Sequence, residues 1–275
     1  MTTTAPPTTA ERTGGDTNYA VHGVSYSSYR QTEPRIAALI HAALGVGSAT
    51  RTVLNVGAGA GSYEPTHPDV TVTPVEPSAA MRQKRPPHLP AAVDATAANL
   101  PFPDASFDAA MATLTIHQWP DLSAGLREVR RVTRGPIVML TSEPDKVPHF
   151  WLNHYAADMV AVEARRYPAM SAIAAALPTD TISVTAVPIP LDCVDGFNEA
   201  YYGRPERMLE SGARQANSAW SFVSEEVQQR SVERLRADLE SGAWDERYGQ
   251  LRQQSSYDGA LVLVVARPKQ PVSGQ

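Results

Sequence analysis

Three glycines at alternate positions, Gly57, Gly59 and Gly61, follow the apolar run Val53-Leu54-Asn55-Val56. An apolar run ending in glycines reads as a buried strand that turns sharply. Glycine takes positive φ without steric cost and lets a ligand come close to the main chain. A helix start just beyond would turn unpaired N–H groups toward a polar ligand. Ligands of open α/β sheets collect at this kind of place, beyond the carboxyl ends of the strands near the point where strand order reverses. Glu76 ends a second, β-branched run at 70–75. It lies about twenty residues past the first glycine, where a carboxylate can accept hydrogen bonds from both hydroxyls of a ribose. The glycine spacing is G-x-G-x-G, whereas a dinucleotide fingerprint needs its third glycine at the position of Ser62. A phosphate-loop G-x-x-x-x-G-K-[ST] is absent. A nicotinamide-dependent Rossmann reductase therefore stands as the alternative rather than the first reading.

The elements that must hold these groups alternate along the chain. Residues 1–18 are Thr- and Pro-rich and read as a disordered tail, with one domain over 19–275. Thr32 is an expected N-cap, with Pro34 in the first turn, for a helix whose stripe is Ile36, Leu39, Ile40, Ala43 and Leu44 and whose end is Gly45. Strands are expected at 52–56, 70–75, 107–115 and 137–140, with a short one through Ala92 and Val93 to Asp94. Asp121 can cap a helix that carries Leu122, Leu126 and Val129 inward and ends at Gly135. Such alternation predicts a doubly wound α/β fold, a mostly parallel sheet with helices on both faces. After Glu143 the pattern shifts: helix over 148–176, strand over 181–189, helix over 224–241 and a last strand over 260–266. Residues 143–180 and 193–250 are expected to supply a helical cap and the substrate elements.

Composition narrows the partners. Of 275 residues, 43% are hydrophobic and 19% charged, and the formal net charge is -5. There is no basic run, so no nucleic acid is expected as a partner. No stretch reaches the ~20 apolar residues of a membrane span, and residues 1–16 lack the apolar centre of a signal peptide. The expectation is a cytoplasmic protein without membrane insertion. Cys193 is the single cysteine and reads as a packed, inert thiol. His149 and His154 do not share a helix face, and no metal site is expected.

Together these pieces resemble the class I S-adenosylmethionine (SAM)-dependent methyltransferases, especially the small-molecule group that includes the ubiquinone and menaquinone C-methyltransferases. The likeness runs from about Tyr26 to Leu140. It rests on ordered motifs: 53–61, Val75-Glu76-Pro77-Ser78, Asp94-Ala95, Leu100-Pro101-Phe102-Pro103-Asp104-Ala105-Ser106-Phe107-Asp108, and Thr113 to Trp119 before a helix ending Arg-Arg-Val-Thr-Arg-Gly. The resemblance implies a seven-stranded sheet, SAM as cofactor and S-adenosylhomocysteine as product. It implies that Gly57, Gly59 and Gly61, with Ala58, cradle the methionine part. Glu76 would hold the ribose, with Pro77 and Ser78 beside it and Met81 near the ribose or adenine. Asp94 would bond the adenine amino group, Ala95 would offer main chain, and Thr113 would lie beside the methionine moiety. Tyr29 and Arg30 resemble a segment in which an arginine approaches the SAM carboxylate. Asn55 stands where the family commonly has an acidic residue; an amide can bond the ammonium but cannot attract it as an anion does.

Methyl transfer from a sulfonium chiefly requires alignment and exclusion of water. A base is needed only when the acceptor must lose a proton. His117, just after the fourth expected strand, is the candidate base, and Tyr29 is a second candidate at the reacting centre. Tyr26, His117, Trp119, Trp151 and Tyr155 are candidate walls for a small-molecule methyl acceptor, although aromatics at helical spacing also serve as core. Arg165 and Arg166 read as a solvated helix face, with binding of an anionic substrate group as the alternative. Carbon methylation of an electron-rich ring is favoured over oxygen or nitrogen, on the strength of His117 and an aromatic cap. A non-catalytic SAM-binding regulator is the further alternative, because of Asn55.

Overall fold

The computed structural model describes residues 26–269. The expected tail at 1–18 and the side chain of Tyr26 lie outside the described residues.

Helix α1 (Tyr26–Tyr29) leads into α2 (Pro34–Leu44), which buries Ile36, Ile40 and Leu44. The N-cap of α2 is Glu33, whose carboxylate accepts the Arg35 N–H, and not Thr32. Thr32 instead accepts the Tyr63 N–H at 3.2 Å, a tertiary contact that local sequence does not reveal. Gly45 ends α2 at φ 78°, as its position suggests.

Strands β1 (Thr52–Val56) and β2 (Thr71–Val75) come next, then α3 (Ala79–Gln83), β3 (Ala109–Thr113), α4 (Leu122–Val132) and β4 (Ile137–Ser142). Asp121 caps α4 by accepting the Ala124 N–H at 2.8 Å. After β4 come α5 (Ala157–Arg166), α6 (Met170–Ala176), α7 (Ser211–Gln215), α8 (Glu225–Ser241) and α9 (Ala243–Tyr248). The helix expected over 148–176 is broken: short 3-10 turns precede α5, and Pro168 separates α5 from α6 because proline cannot continue the helical ladder. Strand β5 (Asp180–Ala186) lies in the main sheet, and β6 (Ile189–Pro190) pairs β7 (Ser256–Tyr257) in a small ribbon. Strand β8 (Leu261–Pro268) ends the described chain.

The main sheet has six strands in the order β2-β1-β3-β4-β8-β5. Strands β2, β1, β3 and β4 are parallel, and β8 runs antiparallel between β4 and β5. The seventh strand expected at 92–94 is reduced to a single parallel bridge, Val75 to Val93. Pro86, Pro87 and Pro90 just before it supply no N–H groups to extend a ladder. Both faces are covered, which is why the parallel strands read as continuous apolar runs. Met111 and Val138 face α2 and α5; Leu54, Ala110 and Met139 face α4 and α6. Strand order reverses between β1 and β3, and the glycine turn leaves β1 there. At the opposite end of the strands, Asp108 accepts from the Arg51 and Thr52 N–H groups and pairs with Arg134, whose hydrogen bond holds its carboxyl down at about 2. No described helix is long and apolar enough to cross a membrane.

Candidate active site

A cavity of about 590 Å³ opens at the carboxyl ends of β1, β2 and β3. Its floor is the glycine turn. Gly57, Gly59 and Gly61 have φ of 72°, 52° and 99°. At Gly57 the constraint is also spatial, since a Cβ would sit 2.1 Å from Thr115 Oγ1. Gly57 and Ala58 both donate their N–H groups to the Val75 carbonyl, binding the turn to the end of β2. Glu76 follows at once. Its Oε2 accepts the Gly59 N–H at 2.9 Å and its Oε1 the Ser78 N–H at 2.8 Å. The carboxylate is thereby held at the cavity wall, with Pro77, Ser78 and Met81 beside it.

Beneath the turn lies a buried polar chain. Asn55 Nδ2 donates to Glu64 Oε1 at 2.9 Å, and Glu64 Oε2 pairs with Arg85 Nη2 at 2.9 Å. All three residues are buried. Asn55 is therefore a structural group under the turn and does not line the cavity. An acidic residue in its place would confront Glu64.

The opposite wall comes from the loop after β3, from the end of α5 and from residues 215–219. His117, Trp119 and Tyr167 line it, with the His117 and Tyr167 rings edge to face at 4.9 Å. Burial holds the His117 imidazole down at about 3, and the nearby cations Arg166 and Arg30 push the same way. The ring is neutral near pH 7 and a poor proton acceptor, which weakens the reading of His117 as general base. Arg30 lines the cavity and pairs through Nε with Asp195 at 2.5 Å; the same carboxylate accepts from Tyr63 Oη at 2.7 Å.

Two further groups on this wall come from α5, of which only Glu163 carries no signal of its own in the sequence. Arg166 was expected on a solvated face, but it lines the cavity, donates to Ser218 Oγ at 2.8 Å and lies over the Phe222 ring. Glu163, one turn earlier on α5, also lines the cavity and accepts from Asn198 Nδ2 at 2.8 Å. Met159, Glu163 and Arg166 stand at i, i+4 and i+7, so one inward face of α5 was open to discovery in the sequence.

The cavity thus brings together Arg30, Gly57, Ala58, Gly59, Glu76, Pro77, Ser78, Met81, Ala95, Thr113, His117 and Trp119. Other candidates stand elsewhere. Gly61 faces Leu89 and Arg85. Asp94 is 68% exposed at its side chain and pairs with Arg82 at 2.8 Å. Tyr29 turns its hydroxyl to Glu210 at 2.9 Å, outside the cavity lining. Trp151 and Tyr155 are buried core: Trp151 Nε1 donates to the Tyr202 carbonyl at 3.0 Å and Tyr155 Oη to Asp238 at 2.8 Å. Their helical spacing served packing, not a substrate wall.

With this geometry in place, comparison with known proteins is specific. Residues 54–136 match the family model described as a methyltransferase domain. A candidate methyltransferase from an antibiotic biosynthesis pathway of Anabaena variabilis is 26% identical, with TM-score 0.80 over 89% of this chain and 100% of its own. A candidate methyltransferase of Bacillus halodurans is 14% identical at TM-score 0.52, covering 85% of this chain and 99% of its own. The geranyl diphosphate C-methyltransferase of Streptomyces coelicolor, crystallised with S-adenosylhomocysteine, shares the fold at TM-score 0.50 and 14% identity, over 86% of this chain and 79% of its own. The chain has no match among curated proteins. Residues 54–136 thus carry a methyltransferase domain, set in the Rossmann-like fold that SAM-dependent methyltransferases share.

Proposed function

We propose that the protein transfers the methyl group of SAM to a small organic molecule held under the cap. The observation that carries this reading is one continuous cavity running from the glycine turn and Glu76 to the Glu163–His117–Tyr167 wall. The residues at its floor suit the cofactor. Gly57 and Gly59 keep the main chain free of side-chain bulk, and Glu76 is a preformed anionic acceptor at the end of β2. Gly57, Ala58 and Gly59 would hold the methionine part, Glu76 the ribose hydroxyls, and Ser78, Met81 and Ala95 the region of the adenine. Arg30 would face the carboxylate. When bound, SAM supplies an electrophilic methyl carbon on a sulfonium. The chain's own task is to align an acceptor with that carbon and keep water out.

The preference for a carbon acceptor rested on His117 as base and on an aromatic cap that included Trp151 and Tyr155. The low basicity of His117 and the core positions of those two rings remove both supports. His117 is better suited to a neutral hydrogen-bonding role at the acceptor. The test is calorimetric titration with S-adenosylhomocysteine, with NADH in parallel. Saturable binding of the former alone supports the reading, and binding of NADH alone replaces it with the reductase.

A further inference from the structure

Glu163 is a carboxylate in the cavity wall whose orientation is dictated by its neighbours. Trp220 Nε1 lies 3.2 Å from Asn198 Oδ1. An indole N–H can only donate, so the Asn198 oxygen faces Trp220 and its amide nitrogen faces Glu163. The oxygen there, Oε2, must accept, and does so at 2.8 Å. Asn198 and Trp220 are both buried, so the arrangement is rigid. With Oε2 committed as an acceptor, a proton taken up by Glu163 belongs on Oε1.

The surroundings select the kind of acceptor. The charged or titratable groups around Glu163 are Arg166 on its own helix, Arg30 from the N-terminal segment, His117 after β3, Tyr167 and Glu199. Arg30 is paired with Asp195, which leaves Arg166 as the cation that disfavours an ammonium here and favours a group that becomes anionic. Trp119, Tyr167 and Phe197 offer aromatic walls. A phenol, with an ordinary pKa of about 10, is within reach of a carboxylate base aided by the Arg166 guanidinium. Burial raises the Glu163 carboxyl above its ordinary value, which brings the two closer.

Building on the methyl-transfer reading, we propose that Glu163 removes the proton from an aromatic hydroxyl, making the protein an O-methyltransferase of a small phenolic compound. The acceptor oxygen forms its bond to the methyl carbon as the carbon–sulfur bond breaks, its electron pair going to sulfur. The hydroxyl proton passes to Glu163 Oε1 and leaves to solvent with the product.

The test compares the wild type with Glu163→Gln, which keeps an acceptor for Asn198 but cannot take the proton. Binding of S-adenosylhomocysteine is measured first and is expected to agree within about threefold. Methyl transfer from labelled SAM is then followed over a panel of phenols, aliphatic alcohols, primary amines and hydroxyl-free arenes. The expected result is turnover of phenols by the wild type and a loss of about 10²–10⁴-fold in kcat in the variant. That loss should shrink as pH rises and the phenol ionises unaided. In parallel, NMR titration of labelled glutamate should show a carboxyl, missing from the variant, that protonates above the ordinary Glu range. Failure to bind S-adenosylhomocysteine would remove the methyl-transfer reading itself. Binding without turnover of any phenol, equal phenol turnover in both proteins, a loss that ignores pH, or a Glu163 carboxyl titrating at or below the ordinary range would each overturn the role of Glu163.

Discussion

Gly59 donates its N–H to Glu76 Oε2 at 2.9 Å, and this bond ties the turn after β1 to the end of β2. The other oxygen of Glu76 is held by the Ser78 N–H. The carboxylate therefore shapes the floor of the cavity before any ligand arrives, and the same group is the proposed ribose partner. Charge-assisted hydrogen bonds of this kind contribute about 1.5–3 kcal/mol each. Glu76→Ala should weaken S-adenosylhomocysteine binding by about 10–100-fold, measured by calorimetry. An unchanged affinity would remove Glu76 from the cofactor site.

The glycines of the turn should differ in their tolerance of a methyl group. Gly57→Ala meets both a positive φ and Thr115 Oγ1 at 2.1 Å. Left-handed backbone costs about 1–2 kcal/mol and overpacking about 1–3 more, so a loss of about 2–5 kcal/mol is expected. Gly59→Ala meets a positive φ but only the mobile Met81 methyl, at 3.3 Å, and should lose about 1–2 kcal/mol. Urea denaturation of the two variants checks the order.

Restoring an acidic residue beneath the turn should harm the fold. Asn55→Asp would place a second carboxylate against Glu64, which Asn55 now reaches at 2.9 Å in a buried setting. Two adjacent carboxylates raise the pKa of the pair, so folding is penalised wherever both would be ionised. A loss of about 2–4 kcal/mol is expected at neutral pH. The deficit should narrow as acidification protonates the pair. A variant as stable as the wild type at pH 7 would contradict the Asn55–Glu64–Arg85 arrangement.

His117 should leave its mark on stability in acid. Its ring titrates at about 3 in the fold against an ordinary 6.5, mainly through burial. Between these values the unfolded chain binds the extra proton. The contribution of this group is therefore full above about pH 6.5 and declines as pH falls toward 3. His117→Phe should flatten that decline when denaturation midpoints are compared across the window. The pH profile of turnover should show no inflection near 6.5 from this residue. An inflection there that vanishes in the variant would restore His117 as the base.

Much of the scaffold is legible locally. The limits of β1, the Asp121 cap and the Gly45 stop follow from short-range rules, because strand burial, capping and left-handed turns depend on neighbours in sequence. The broken helix after β4 was readable in part, since Pro168 marks the break. Thr32 shows where local reading stops: it has the chemistry of a cap, yet it bonds the Tyr63 N–H while Glu33 caps the helix. Trp151 and Tyr155 show the same limit, since an aromatic ring suits a pocket and a core equally well.

By itself the sequence determined the doubly wound α/β class, the glycine turn and the carboxylate after β2, because each is written in contiguous residues whose backbone preferences are intrinsic. The tertiary structure alone decided which side chains share a space. It withdrew Asn55 beneath the turn, paired Asp94 with Arg82 outside the cavity, and brought Glu163, Asn198 and Trp220 into one oriented chain. A buried polar group must find its partner among whatever the packing places within about 3 Å, and for these residues packing draws that partner from a different segment of the chain.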